Sequence, residues 1–137
     1  QGVSSAASDV YKRQDYVELI AMIKADLADL ISDARISKTL TSSPSRLVAV
    51  ENGMDIQMER MMKAQNPNFE GAPKILEING GHDLIKAMQS AKPQEQTEIL
   101  KDLSLLLFEQ AQILDGKIPH DTQGFARRLT KVMHLSL

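Results

Sequence analysis

Apolar and polar positions alternate along this chain with two different periods, and the changes of period mark its elements. Val17, Ile20, Ile23, Leu27 and Leu30 recur at three- and four-residue intervals, which predicts an amphipathic helix over residues 16–29. The period then drops to two. Ala34, Ile36 and Lys38 alternate with Arg35, Ser37 and Thr39, predicting a strand from Ile31 to Leu40. Residues 41–45 form a turn around Pro44, and Arg46–Val50 reads as a second strand, antiparallel to the first. A helix comes next, from Met54 to Ala64. Residues 66–73 hold two prolines and a glycine and read as a loop, Lys74–Ile78 as a short third strand ended by Gly80 and Gly81. Residues 82–91 make a short helix. Pro93, at a first helical position where its missing N–H costs nothing, opens a longer one to Leu114, stopped by Gly116. Asp121 or Thr122 caps a last helix ending near His134. The class predicted is α+β: a small three-stranded sheet covered by helices, with a helical tail.

Two of these helices have unusual apolar content. Met54, Met58, Met61 and Met62 stand at i, i+4, i+7 and i+8, on one side of the fourth predicted element, with Ile56 beside them and Asp55, Gln57, Glu59, Arg60 and Lys63 around the rest. Such a stripe either packs on the chain's own core or stays exposed, where the flexible thioether side chain suits varied partners. The long tail helix places Ile99, Leu100, Leu103, Leu105, Leu106, Leu107 and Phe108 within ten residues. One face can pack on the domain; the remainder needs a cover. The last helix offers Phe125, Leu129, Val132 and Met133 at the same i, i+4, i+7, i+8 spacing. Two such helices from each of two copies make a four-helix bundle, and full burial within one chain is the alternative.

The wording of these segments resembles the C-terminal domain of the heat-shock protein 90 chaperones. Met58, Glu59, Arg60, Met61, Met62, Lys63, Ala64 and Gln65 are similar to the family's Met-Glu-Arg-x-Met-Lys-Ala-Gln segment. Leu76, Glu77, Ile78 and Asn79, with His82, Asp83, Leu84 and Ile85, resemble its Leu-Glu-Ile-Asn-x-x-His-x-Leu-Ile stretch. Residues 105–116 and 125–129 resemble its final two helices. The family usually has a proline after that Asn, where this chain has Gly80 and Gly81. The resemblance covers residues 15–137. It implies a constitutive homodimer through the last two helices, with Leu103, Leu106, Leu107, Phe125, Leu129, Val132 and Met133 at the interface. It also implies contact with unfolded client proteins through Met54, Ile56, Met58, Met61 and Met62. ATP and its magnesium ion are implied in an N-terminal domain outside this chain, so that the parent is an ATPase and this fragment has no cofactor of its own. The chain lacks the acidic MEEVD ending with which eukaryotic cytosolic members recruit tetratricopeptide co-chaperones. Under the resemblance that implies a bacterial, HtpG-type, cytoplasmic chaperone of the stress response. A stand-alone helical interaction module, an adaptor using the methionine helix, is the reading from a different class. A longer read of the gene separates the two.

Residues 4–14, Ser-Ser-Ala-Ala-Ser-Asp-Val-Tyr-Lys-Arg-Gln, back-translate to an adapter used in transposase-based sequencing libraries. The expectation is therefore a non-native segment over residues 1–14 and a domain over 15–137, in a read truncated at its 5′ end. The whole chain has a formal net charge of −2, and the set-aside segment is slightly basic, so the rest is mildly acidic. There is no basic excess to hold phosphates, and nucleic acid is a poor candidate partner. No apolar run approaches the ~20 residues that span a bilayer. There are no cysteines, hence no disulfide or thiol chemistry. His82, His120 and His134 lack the close second ligand of a motif such as His-Glu-x-x-His, and His82 fits a helix start better. Asp26 and Asp29 read as a charged helix face, and no serine has an arguable base. No catalytic or metal site is expected.

Overall fold

The three strands do not meet in the order in which they occur. In the computed structural model, which describes residues 16–38, 42–50, 56–67, 73–91 and 93–137, β1 (Asp33–Ile36), β2 (Ser45–Val48) and β3 (Ile75–Ile78) form one sheet in the order β1-β3-β2. β3 runs parallel to β1 and antiparallel to β2. The first two strands are thus antiparallel in direction, as the sequence predicts, but are not neighbours, because β3 lies between them. Periodicity fixes which residues share a face of a strand, not which strand lies next to it.

All four residues of β3 are buried, as a central strand requires. Its two faces differ in chemistry. Leu76 and Ile78 point to the same side as their register partners Ala34, Ile36, Leu47 and Ser45. That side is covered by helix α1 (Val17–Leu27), extended by a 3₁₀ turn over Ala28–Leu30, and by the long helix α4 (Pro93–Leu114). α1 buries Leu19, Ile23 and Leu27, one residue per turn. Val17 and Leu30, counted in the sequence pattern, are exposed; the buried stripe is centred on Leu19 instead. α4 adds Leu100, Leu107, Phe108 and Ala111 to the same core. The Ser45 hydroxyl donates to the Leu107 carbonyl at 2.8 Å, tying β2 to α4.

The other side of the sheet is polar at its centre. Arg35 of β1 and Arg46 of β2 are both register partners of Glu77. Arg35 Nε lies 2.9 Å from Glu77 Oε2, and Arg46 Nη2 lies 2.7 Å from Oε1. Glu77 is buried while both arginines are half-exposed, so their stems and guanidinium groups roof the carboxylate. Burial pushes the Glu77 carboxyl up, and the hydrogen bonds from Arg46 and Arg35 outweigh it and hold it below its usual range.

At the end of β3 the chain turns through Asn79. Its amide donates to the Ser43 carbonyl at 3.2 Å, and its Oδ1 accepts from Gly81 N at 3.0 Å. Gly80 lies under Tyr16, whose hydroxyl donates to the Gly80 carbonyl at 2.7 Å. A Cβ on Gly80 would stand 2.8 Å from the buried Tyr16 ring, so glycine is required there by proximity. Helix α3 (Asp83–Ser90) starts on His82, whose Nδ1 accepts from Leu84 N at 3.1 Å, the helix-start role anticipated for it. Helix α2 (Ile56–Gln65) is the methionine helix, and helix α5 (Thr122–Leu135) is capped by Asp121, whose Oδ1 accepts from Gly124 N at 2.9 Å. The fold is α+β, as the sequence predicts. No helix of the described residues is long and apolar enough to cross a membrane.

Candidate interaction surfaces

α4 and α5 form an antiparallel hairpin fastened along one edge by charge. Arg128 grips Glu109 with two bonds, Nε to Oε1 at 3.1 Å and Nη2 to Oε2 at 2.7 Å, and both side chains are largely buried. One turn further on, Lys131 Nζ lies 3.2 Å from both Asp102 and Glu98. Asp102 first, then Glu98, raise its ammonium above the usual lysine range. These pairs fix the rotation of α5 about its axis. They leave its apolar stripe facing sideways, next to that of α4, instead of into the core.

The two stripes meet in a groove of about 260 Å³ lined by Leu84, Leu103, Leu106, Leu107, Gln110, Ile113, Phe125, Leu129 and Val132. Six of the seven residues singled out for a dimer interface are thus brought together on one surface. The seventh, Met133, is exposed on the outer edge of the same helix. Leu107 needs a correction: it is only 2% exposed and belongs to the chain's own core, so a second copy can rest on it but not bury it further. Sequence reasoning missed Leu84, Gln110 and Ile113. The signal for the last two was present, since 103, 106, 110 and 113 continue one 3/4-residue repeat. Leu84 comes from α3, and no local pattern points to it. α5 contributes almost nothing to the core; Gly124 is its one buried residue. A second hollow of about 400 Å³ between α3 and the start of α4 shares Leu84 and Leu103 with the groove. There the helical dihedrals break at Gln96, with φ −127° and ψ 28°.

The methionine helix lies apart from all of this. α2 makes no extensive contact with any other described element. Met58, Met61 and Met62 are 56%, 64% and 40% exposed, which answers the question of where the stripe packs: these three are not core. Met54 lies outside the described residues, as do residues 1–15, and of Ile56 only the backbone is described. Among the described residues no group of histidines and carboxylates is placed to hold a metal ion. His120 and His134 are exposed. Asp29 is exposed as expected, while Asp26 is half-buried and accepts from the Ser104 hydroxyl at 3.2 Å.

The sequence profile of the family described as Hsp90 protein matches residues 3–137. This chain belongs to the heat-shock protein 90 family. The match begins at residue 3 and so takes in the whole of the segment 4–14 that the sequence reading set aside. Among relatives, the chain is 43% identical over 121 residues to the chaperone protein HtpG of Rhodopseudomonas palustris strain BisB5, covering 88% of this chain and 19% of the relative. It is 38% identical over 134 residues to the HtpG of Roseobacter denitrificans, covering 96% and 22%. To that of Rhizobium meliloti it is 40% identical over 121 residues, covering 88% and 19%. The chain therefore spans about a fifth of the length of these Hsp90-family relatives, and the resemblance read from its motifs is to the right family.

Proposed function

We propose that this chain is the dimerising and client-contacting part of an HtpG-type chaperone. The observation that carries the proposal is the apolar groove along α4 and α5. It is flanked by exposed Leu129, Met133, Ile113 and Leu114 and is left without a cover by the chain's own core. A self-complementary surface of this kind is met by the same surface on a second copy, giving a two-fold bundle of four helices. The exposed thioethers of α2 then face solvent as an adaptable surface for non-native chains. ATP and magnesium belong, on the family resemblance, to a domain outside this chain. Tethering two copies raises the effective concentration of the preceding domains for each other, which favours their closure as a clamp. A cytoplasmic, bacterial setting goes with this reading.

Sedimentation velocity over a concentration series tests it. The 137-residue chain should sediment as a dimer at micromolar concentration, and Leu106→Asp and Leu129→Asp should sediment as folded monomers. A monomeric wild type, or dimeric variants, would remove the interface assignment.

A further inference from the structure

We infer that Met58, Met61 and Met62 form a reversible oxidation site that erases the client-contacting surface of α2; the inference rests on the proposed role of that helix. From Gln57 to Pro67 every residue except Glu59 is exposed. In that stretch the large apolar side chains are these three methionines; the others are Gln57, Glu59, Arg60, Lys63, Ala64, Gln65, Asn66 and Pro67. The apolar character of the described face is therefore carried by three thioether sulfurs. A leucine or isoleucine stripe would be as apolar and chemically inert.

Thioether oxidation by hydrogen peroxide needs only access. The sulfur lone pair attacks one peroxide oxygen, an S–O bond forms as the O–O bond breaks, and the product is one sulfoxide and one water per sulfur. The sulfur is oxidised by two electrons and the peroxide is reduced by two. The product is polar and chiral, so each conversion replaces an apolar contact by a dipole. Met133 on α5 is 60% exposed as well, and the leucine variant below, which retains it, separates its oxidation from that of α2. The chain has no cysteine, so no thiol consumes peroxide first. Met88 is buried and Met22 half-buried in the core, shielded from the reagent. Because α2 lies apart from the other elements, sulfoxides on it remove no core volume. The surface is lost and the fold is kept. Reduction by methionine sulfoxide reductases, one for each sulfoxide epimer, consumes two thiols per sulfoxide, forms a disulfide and water, and restores the thioether.

The test uses the 137-residue chain, hydrogen peroxide quenched with catalase, and peptide mapping by mass spectrometry. The binding probe is reduced, carboxymethylated α-lactalbumin, labelled for fluorescence anisotropy. Sulfoxide should accumulate on Met58, Met61 and Met62 ahead of Met22 and Met88. Probe affinity should fall about tenfold or more, with the melting temperature unchanged, and both reductases together should restore it. The triple variant Met58→Leu, Met61→Leu, Met62→Leu serves as its own reference: its probe affinity should be the same before and after peroxide. Unchanged affinity of the oxidised wild type, or equal peroxide sensitivity of the leucine variant, overturns the inference. The underlying reading fails separately: if the untreated triple serine variant binds as well as wild type, α2 is not the client surface. If the serine variant is weak while oxidised wild type is not, the oxidation inference alone falls.

Discussion

Glu77 carries its charge in a site 7% open to solvent because two cross-strand arginines reach it from opposite sides. Removing one partner of a buried pair normally costs more than the pair contributes, since the other is left uncompensated. Here the stranded groups are half-exposed arginines that can return to water, which lowers the cost. Glu77→Gln should therefore destabilise by roughly 1–3 kcal/mol in urea unfolding at pH 7. The same site sets an acid limb. The carboxyl titrates below its ordinary value of 4.5. Its stabilisation is complete above that pH and is lost as the pH falls through the lower folded-state value. Wild type should lose stability steeply below about pH 4.5, and Glu77→Gln should flatten that fall. A variant that tracks wild type across the acid range would mean the carboxylate is not held by the arginines. Gly80→Ala is a second residue-scale case: the added methyl group meets the buried Tyr16 ring and should cost about 1–3 kcal/mol by overpacking, read as a lowered urea midpoint.

At the scale of elements, two helices of similar apolar content do different things, and substitution distinguishes them. Replacing Met58, Met61 and Met62 together by serine should shift the melting temperature little, because no core contact is lost. Large-to-small changes at packed sites cost roughly 2–5 kcal/mol each, and Leu107→Ala in α4 should fall in that range. A triple variant that unfolds would return the methionines to the core. The helices are legible in the sequence because their periodicity is local: the observed bounds of the last three differ from those predicted by a residue or so. The stripe on α1 is displaced from its sequence pattern, because Val17 and Leu19 are equally apolar and only the sheet decides which is covered. The strands are legible as segments but not as a sheet. The register that joins Arg35 and Arg46 to Glu77 links residues far apart in the chain, and no short-range pattern encodes it. The groove is half legible. Phe125, Leu129 and Val132 come from spacing and Leu103 and Leu106 from the family resemblance, whereas the place of Leu84 depends on how α3 docks, and Leu107 lines the groove while being buried in the chain's own core.

For the whole molecule, the position of the ion pairs on α5 matters more than their strength. Glu109–Arg128 and the contacts of Lys131 hold the hairpin so that both apolar stripes point outward together. Arg128→Ala should weaken dimerisation in the sedimentation series more than it lowers the melting temperature, since it frees α5 to rotate. The opposite ranking would make the pair a core strut. Deleting residues 1–14 should leave both melting temperature and association state unchanged within error, as expected of a segment never selected to pack; a clear loss of either would restore that segment to the domain. The sheet order has a consequence for synthesis. β3 is the last strand to leave the ribosome and the central one in the finished sheet, so a nascent chain released as far as residue 70 holds two outer strands with nothing to pair them. Their backbone donors and acceptors stay bonded to water until Ile75–Ile78 arrives, and the part of the apolar side that α4 covers, over β2, stays open until α4 emerges. Stalled chains of increasing length should therefore gain protease resistance in one late step, after α4 has cleared the exit tunnel, and not strand by strand.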